Sequence, residues 1–187
     1  MKTKFEVFIL IPDKRLVTLT KEVARKYKVY KALKDQKGPH ISFLYPQEKL
    51  EDKEVKEIIK YYNKRLEFVK PFYLQINGIG YFRKAHKSDN KINYVVYIGV
   101  EPSKELTRLY RIFNKGIEDY NYWRYRTFKP HISLARTDLD KEKFYKIIKN
   151  YKNYKIKFKI RLTCIYAGTR SNKKQKWKLV KMKLSSK

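Results

Sequence analysis

The chain has 187 residues, of which 42% are hydrophobic and 16% aromatic, and this apolar content supports one folded domain and excludes a disordered tail. Lysine and arginine number 47 against 18 acidic residues, which gives a formal net charge of +29 at pH 7. A folded domain of this charge is expected to bind a polyanion, although an AT-rich genome would also enrich lysine. The single cysteine, Cys164, excludes a disulfide framework and favours an intracellular compartment, so we expect a cytoplasmic protein.

Strands and helices alternate along the first half of the chain. The apolar run at 5–11 predicts a buried strand; it is too short to cross a membrane, so we expect no membrane attachment. Apolar spacing then predicts a helix with a stripe from Leu16 to Tyr27, a strand at 39–45, a helix with a stripe from Val55 to Leu66, and an extended segment at 71–82. Gly78 and Gly80 in that segment predict a bulge or a close backbone approach.

The same order of elements restarts in the second half. The predicted elements are a strand at 92–100, a helix capped by Ser103 with a stripe from Leu106 to Ile117, a strand at 130–136, a helix with a stripe from Phe144 to Tyr151, and strands at 154–166 and 176–184. The order strand–helix–strand–helix–strand therefore occurs twice, and a repeat of this length is too long for a solenoid.

This duplication predicts an α+β fold with two pseudo-symmetric lobes, whose mainly antiparallel sheets face a central cleft with the helices outside. We interpret residues 1–187 as a single bilobal domain with approximate halves 1–90 and 91–187. We expect the protein to be a monomer.

The third element of each repeat carries the sequence Pro-His-Ile-Ser, with the histidines at positions 40 and 131. Because strand side chains alternate between faces, His40 shares a face with Ser42, and His131 with Ser133. Pseudo-two-fold symmetry would bring both pairs to one cleft. One imidazole can then accept a proton while the other donates one, and the hydroxyls can donate hydrogen bonds to phosphate oxygens. The pattern indicates in-line attack at a phosphodiester, for which a 2',3'-cyclic phosphate is an apt substrate.

Other interpretations of these residues fit less well. A single histidine on an apolar strand is more often structural, but the same tripeptide at equivalent points of two repeats favours catalysis. Zinc needs three or four protein ligands, whereas His86 falls in a charged loop and Cys164 has no spaced partner, so we expect no metal. Neither serine lies in a nucleophile elbow, and the glycines at 78 and 80 open no helix, so no dinucleotide site is expected.

At these residues the sequence resembles the 2H phosphoesterase superfamily, named for its two His-x-Thr/Ser motifs. The closer resemblance is to its RNA 2',3'-cyclic phosphodiesterase branch, also called 2'-5' RNA ligase or LigT-like. "FKPHISLAR" (128–136) is similar to the second motif of that branch. "NGIGYF" (77–82) with the strand and Ser-capped helix at 93–113 is similar to its middle segment. The likeness extends over nearly the whole chain.

The resemblance implies that His40 and His131 are the acid/base pair and that Ser42 and Ser133 bind the phosphate. It implies that His131 activates water while His40 protonates the leaving oxygen, although pseudo-symmetry lets these roles exchange with substrate orientation. It implies no metal and no cofactor. The chain departs from the family in having Ser where Thr is commoner, and in the segment "FLYPQEKL" (43–50), where the branch usually has a Leu-Gly ending.

An RNA substrate needs aromatic and basic residues at the cleft rim, because unpaired bases stack on aromatic and Arg planes. The candidates are Tyr45, Phe82, Arg83 and Arg136, although strict alternation would point Arg136 away from His131. We therefore expect a metal-independent phosphodiesterase that opens 2',3'-cyclic phosphates at RNA ends, or that catalyses the reverse reaction, a 2'-5' ligation. The alternatives are the same chemistry on small cyclic nucleotides or 2',5'-oligonucleotides, and a non-catalytic basic RNA-binding module.

Overall fold

The computed structural model describes residues 2–34, 38–44, 49–85, 92–118, 128–172 and 175–185. The strands are β1 (Lys2–Leu10), β2 (His40–Leu44), β3 (Leu50–Glu51), β4 (Phe72–Ala85), β5 (Ile92–Val100), β6 (His131–Arg136), β7 (Lys157–Leu162), β8 (Cys164–Arg170) and β9 (Lys178–Lys183). The helices are α1 (Lys14–Tyr27), α2 (Lys31–Lys34), α3 (Asp52–Leu66), α4 (Lys104–Lys115) and α5 (Lys141–Tyr151). The predicted repeat is confirmed as β1-α1-β2-α3-β4 followed by β5-α4-β6-α5-β7.

The strands of the described ranges form one curled antiparallel sheet in the order β7-β4-β5-β6-β2-β1-β8-β9, with β3 paired to β1. Thr163 alone separates β7 from β8, although these strands lie near opposite ends of that order, so the sheet must curl. We call β2, β1, β8 and β9 the first half-sheet, and β6, β5, β4 and β7 the second. Each half-sheet takes strands from both halves of the sequence, so a division at residue 90 describes the repeat of elements and not the pairing of strands.

Helices cover one face of the sheet. The helices α1 and α5 contact β6 and β5 of the second half-sheet, while α3 and α4 contact β1, β9 and β2 of the first. The isoleucines of both motifs, Ile41 and Ile132, point into this core and are 0% exposed. Ser103 accepts a hydrogen bond from the Leu106 backbone at 3.1 Å, as its predicted capping role requires. None of the helices in the described ranges is long and apolar enough to span a membrane.

The predicted bulge lies at Gly78, which has a φ of +64°. The register between β4 and β5 shifts between Ile76 and Ile79, which gives β4 one extra residue there. Opposite the bulge, a Cβ added to Gly99 would lie 2.4 Å from the carbonyl oxygen of Asn77, so only glycine permits this close approach. Glycines on both strands therefore allow the bulge to form.

The segment at 154–166, predicted as one strand, is divided between β7 and β8. β7 pairs with β4 and β8 pairs with β1, so the chain passes from one half-sheet to the other at Thr163. Neither glycine nor proline marks this break, and the alternation of apolar residues continues on both sides of it. The break follows from the curl of the whole sheet, a tertiary effect that local pattern does not contain.

Candidate active site

The two His-Ile-Ser motifs lie on neighbouring antiparallel strands at the centre of the sheet. Ile41 of β2 is directly opposite Ile132 of β6. Continuing this register by one residue in each direction places His40 opposite Ser133, and Ser42 opposite His131. Because both isoleucines face the helices, the histidines and serines share the other face, where all of them are partly exposed. The antiparallel order thus directs each histidine toward the serine of the other motif, and His40 lines one cavity with Ser133.

The two imidazoles are held in the same way by backbone carbonyls. His40 Nδ1 is 2.8 Å from the Gly38 carbonyl oxygen, and His131 Nδ1 is 2.8 Å from the Lys129 carbonyl oxygen. A carbonyl can only accept a hydrogen bond, so this contact assigns the Nδ1–H tautomer to the neutral ring. The basic lone pair is then on Nε2 of each histidine, which is the atom that can exchange a proton with a substrate.

An aromatic ring supports each histidine from the adjacent strand. The ring centroid of Phe8 on β1 is 5.7 Å from that of His40, in an edge-on arrangement. The ring centroid of Tyr97 on β5 is 5.2 Å from that of His131. Phe8 is opposite Ser42 and Tyr97 is opposite Ser133, so these rings occupy matching positions in the two half-sheets.

A β-bulge follows each motif at the same point. Register with the neighbouring strand skips Phe43 in β2 and Leu134 in β6. After a bulge the alternation of faces reverses, and Arg136, which is opposite Val95, lies on the face of Ser133. Strict alternation would point Arg136 away from the site, and the bulge is what brings this candidate rim residue to the face of Ser133. The matching position after the first motif is Tyr45, which lies outside the described residues.

A cavity of about 230 Å³ joins the two motifs. His40, Ser133 and Arg136 line it from the strands, and α1 contributes Thr20 and Lys21. Arg136 and Lys21 give the cavity two cations, which suits an anionic ligand. Lys21 was not predicted, since nothing in the sequence distinguishes it from the many other basic residues of the chain.

Phe82, one of the candidate rim residues, contacts His131 of the second motif. Its ring centroid is 5.0 Å from that of His131 and 4.5 Å from that of Tyr97. Lys129, which sequence reasoning missed, places its ammonium group 5.2 Å from the Phe82 ring centroid. A Cβ on Gly80 would lie 2.5 Å from the Tyr97 ring, so glycine makes room for that ring.

Arg83 is not brought to the motifs. It is opposite Tyr94, whereas its neighbour Phe82 is opposite Val95, so the two side chains are on different faces of β4. Tyr94 packs against Phe144 of α5, with ring centroids 4.6 Å apart, which identifies that face as the helix side. Arg83 therefore points away from His131.

On the first half-sheet, Phe8 also contacts a residue of the neighbouring strand β8. The Tyr166 ring stacks on Phe8 with centroids 6.4 Å apart, and the Cys164 thiol donates to the Tyr166 hydroxyl at 3.8 Å. Burial, with the Cys164 contact adding to it, raises the pKa of Tyr166 above its ordinary value, so the phenol stays neutral at pH 7. Cys164 and Tyr166 also line a second cavity, of about 540 Å³, that shares Pro39 with the first.

Within the part of the chain that the structure describes, His, Cys, Asp and Glu side chains form no group of three that could hold a metal ion. His86 lies outside the described residues.

Comparison with known proteins gives three kinds of match. A family model described as the 2'-5' RNA ligase superfamily matches residues 11–172. A Bacillus licheniformis protein, named as an inferred phosphoesterase, is 27% identical over 135 residues, which are 72% of each chain. The crystal structure of Escherichia coli LigT complexed with 3'-AMP superposes with a TM-score of 0.61 at 13% identity, covering 100% of this chain and 98% of LigT. Kluyveromyces marxianus Usb1 gives a TM-score of 0.53 at 12% identity over 98% of this chain and 99% of Usb1. At these identities, the likeness to the solved structures shows a shared fold.

Proposed function

Because the chain belongs to the 2'-5' RNA ligase superfamily, we propose that it is a phosphodiesterase that opens 2',3'-cyclic phosphates at RNA ends to a phosphomonoester. Joining a 2'-5' linkage is the reverse of the same chemistry. The observation that carries the proposal is the arrangement of two histidines on one face of neighbouring strands. Each has its Nδ1 at 2.8 Å from a backbone carbonyl, and His40 of the first motif lines one cavity with Ser133 of the second.

In the proposed reaction, His131 accepts a proton from water at Nε2 as the water oxygen attacks phosphorus. The bond from phosphorus to one ribose oxygen breaks, and His40, protonated at Nε2, donates its proton to that oxygen. The product is a ribose phosphomonoester with a hydroxyl on the neighbouring carbon. His131 is left protonated and His40 neutral, and exchange with solvent restores both. The local symmetry lets the two histidines exchange these roles if the substrate binds in the reverse orientation.

The serines and the nearby cations stabilise the charged groups in this scheme. Ser42 and Ser133 donate their hydroxyls to the non-bridging phosphate oxygens, where charge builds up in the transition state. Arg136 and Lys21 line the cavity shared with His40 and attract the phosphodiester. LigT, which has the same fold, was crystallised with 3'-AMP, a ribose monophosphate of the proposed product class.

The scheme assigns each proton and each hydrogen bond to a side chain of this chain, so it requires neither a metal nor a cofactor. The proposed partner is an RNA or oligonucleotide with a cyclic phosphate end, bound by a single bilobal domain. Phe82 and Arg136 are the proposed rim contacts, since both lie on the face of the histidines.

The test is to incubate the purified protein with an oligoribonucleotide ending in a 2',3'-cyclic phosphate, with and without EDTA. We expect conversion to a phosphatase-sensitive monophosphate at the same rate in both conditions. A panel that includes mononucleotide cyclic phosphates and 2',5'-linked oligonucleotides identifies the preferred class of substrate. If the protein binds RNA with strong salt dependence but turns over no member of the panel, the enzyme proposal is wrong and the chain is an RNA-binding module.

A further inference from the structure

A row of basic side chains lies on the exposed face of β7. Lys157 is opposite Asn77, Lys159 opposite Gln75, and Arg161 opposite Tyr73, all on the neighbouring strand β4. The residues that alternate with them pack toward the core instead: Phe158, Ile160 and Leu162. The three cations are therefore fixed to one face by the alternation of the strand, and all three are exposed.

This basic row is on the same face of the sheet as His131. His131 is opposite Gly99 of β5, and the Gly99 backbone approaches Asn77 of β4. Asn77 in turn pairs with Lys157. Lys157 is thus three strand spacings from His131, or about 14 Å at the usual separation of neighbouring strands.

Glycines form the surface between these two points. Gly99 and Gly78 carry no side chain, and a Cβ added to Gly78 would meet no atom within 4 Å. The route from His131 across β5 and β4, which we call the glycine path, is therefore open at Gly78, while at Gly99 it passes over the close-lying Asn77 carbonyl. Along it a ligand backbone could lie close to the sheet.

An exposed aromatic ring lies at the end of the basic row that is farther from the glycine path. Tyr73 is 62% exposed, although large apolar rings on sheets are usually covered, and its cross-strand neighbour is Arg161. An exposed ring next to a guanidinium is the combination on which unpaired bases stack. The facing β4 and β7 side chains on this surface include no carboxylate, and Glu101 reaches it only as the acceptor of a 2.9 Å hydrogen bond from Asn77.

We propose that Tyr73, Lys157, Lys159 and Arg161 form a track that binds the single-stranded RNA leading to the reacting end. The inference rests on the proposed function, because a cyclic phosphate closes the 3' end and the remaining nucleotides must leave the site on their 5' side. The glycine path gives that strand a route from His131. The cations then contact its phosphates, and Tyr73 stacks with a base.

Binding is measured with a short single-stranded RNA that ends in a 3'-hydroxyl, so that no reaction occurs, by fluorescence anisotropy over a salt series. The double variant Lys157→Gln/Lys159→Gln is compared with Lys56→Gln/Lys60→Gln, which removes the same charge from exposed positions of α3 on the other face. Each phosphate contact to a single strand adds about 0.7 to the steepness of log affinity against log salt. Because the track variant loses two such contacts, we expect its slope to be shallower by about 1.4. The α3 variant should keep the wild-type slope.

Stacking is tested with Tyr73→Ala against Tyr145→Ala, since Tyr145 is also exposed, at 47%, but lies on α5. We expect Tyr73→Ala alone to weaken RNA binding, by about 5- to 150-fold. Equal effects of the track and control variants, or no RNA binding by the wild-type protein, would overturn the track.

Hydrolysis assays on a long and a short substrate test the track separately from the catalytic step. The track variants should raise KM for an oligonucleotide with a cyclic phosphate end but leave kcat/KM for a mononucleotide 2',3'-cyclic phosphate unchanged. One outcome is that the wild-type protein hydrolyses neither substrate while the track variants alone lose RNA binding. In that case the track is correct and the proposed activity is wrong. A parallel loss on the mononucleotide would instead show that these residues act at the reacting centre, which contradicts the track.

Discussion

Ile41 lies directly opposite Ile132 at the junction of β2 and β6, and the two motifs are related by a local two-fold axis through this pair. The relation extends to their surroundings. A carbonyl two residues earlier holds each histidine at Nδ1, and a bulge one residue after each serine turns the next residues. The buried isoleucine pair thus places two proton-transfer groups with equivalent surroundings on one surface.

Replacement of either histidine by alanine should abolish most of the proposed hydrolysis. A proton-transfer group contributes about 10²- to 10⁴-fold to rate, so His40→Ala and His131→Ala should each lower kcat by that factor. The measurement is kcat on a mononucleotide 2',3'-cyclic phosphate, with the melting temperature as a check on folding. Full activity in either folded variant would contradict the two-histidine mechanism.

The serines should be tested by a pair of substitutions with opposite outcomes. Ser133→Ala removes the hydroxyl and should lower kcat by about 10²- to 10³-fold, the usual effect of losing one donor to a developing anion. Ser133→Thr keeps the hydroxyl and restricts its rotation, so activity should be largely retained. The same comparison applies to Ser42. Similar losses in the Thr and Ala variants would show that packing, rather than hydrogen bonding, explains the serine.

Gly80 should be essential for the support of His131. A Cβ at this position would lie 2.5 Å from the Tyr97 ring, which must move, and that ring packs against His131. We expect Gly80→Ala to lower kcat while leaving the protein folded. In a double-mutant cycle with Tyr97→Ala, the second substitution should add little, because both disturb the same contact. Additive losses would mean that Gly80 acts independently of Tyr97.

The motifs and their shared face could be predicted because alternation along a strand is a local property. The bulges at Phe43 and Leu134 could not be predicted. Neither residue adopts the positive φ of Gly78, so neither bulge needs a glycine that would mark it in the sequence. The bulge at Leu134 decides where Arg136 points, so strict alternation alone would place this rim candidate on the wrong face. Lys129 was missed for a different reason: its position over Phe82 depends on how β4 and β6 are arranged around β5, which is tertiary information.

The N-terminus of α1 offers a prediction about stability and pH. Asp13 accepts a 2.9 Å hydrogen bond from the Arg15 backbone as the N-cap of the helix that carries Lys21 to the cavity. Asp13→Ala should therefore lower the free energy of unfolding at pH 7 by about 1 kcal/mol, whereas Asp13→Asn, which also caps, should cost less. Chemical denaturation at neutral pH measures both differences.

The difference between wild type and Asp13→Ala should also depend on pH. The hydrogen bond from the Arg15 side chain is the main cause that holds the pKa of Asp13 below its ordinary value of 3.8. A carboxyl whose pKa is lower in the folded state stabilises the fold fully above the unfolded value, and this stabilisation is lost as the pH falls through the folded one. The stability gap should accordingly be complete at pH 7 and narrow in acid below pH 3.8. A gap that stays constant into acid would show that the charge of Asp13 adds nothing to its capping hydrogen bond.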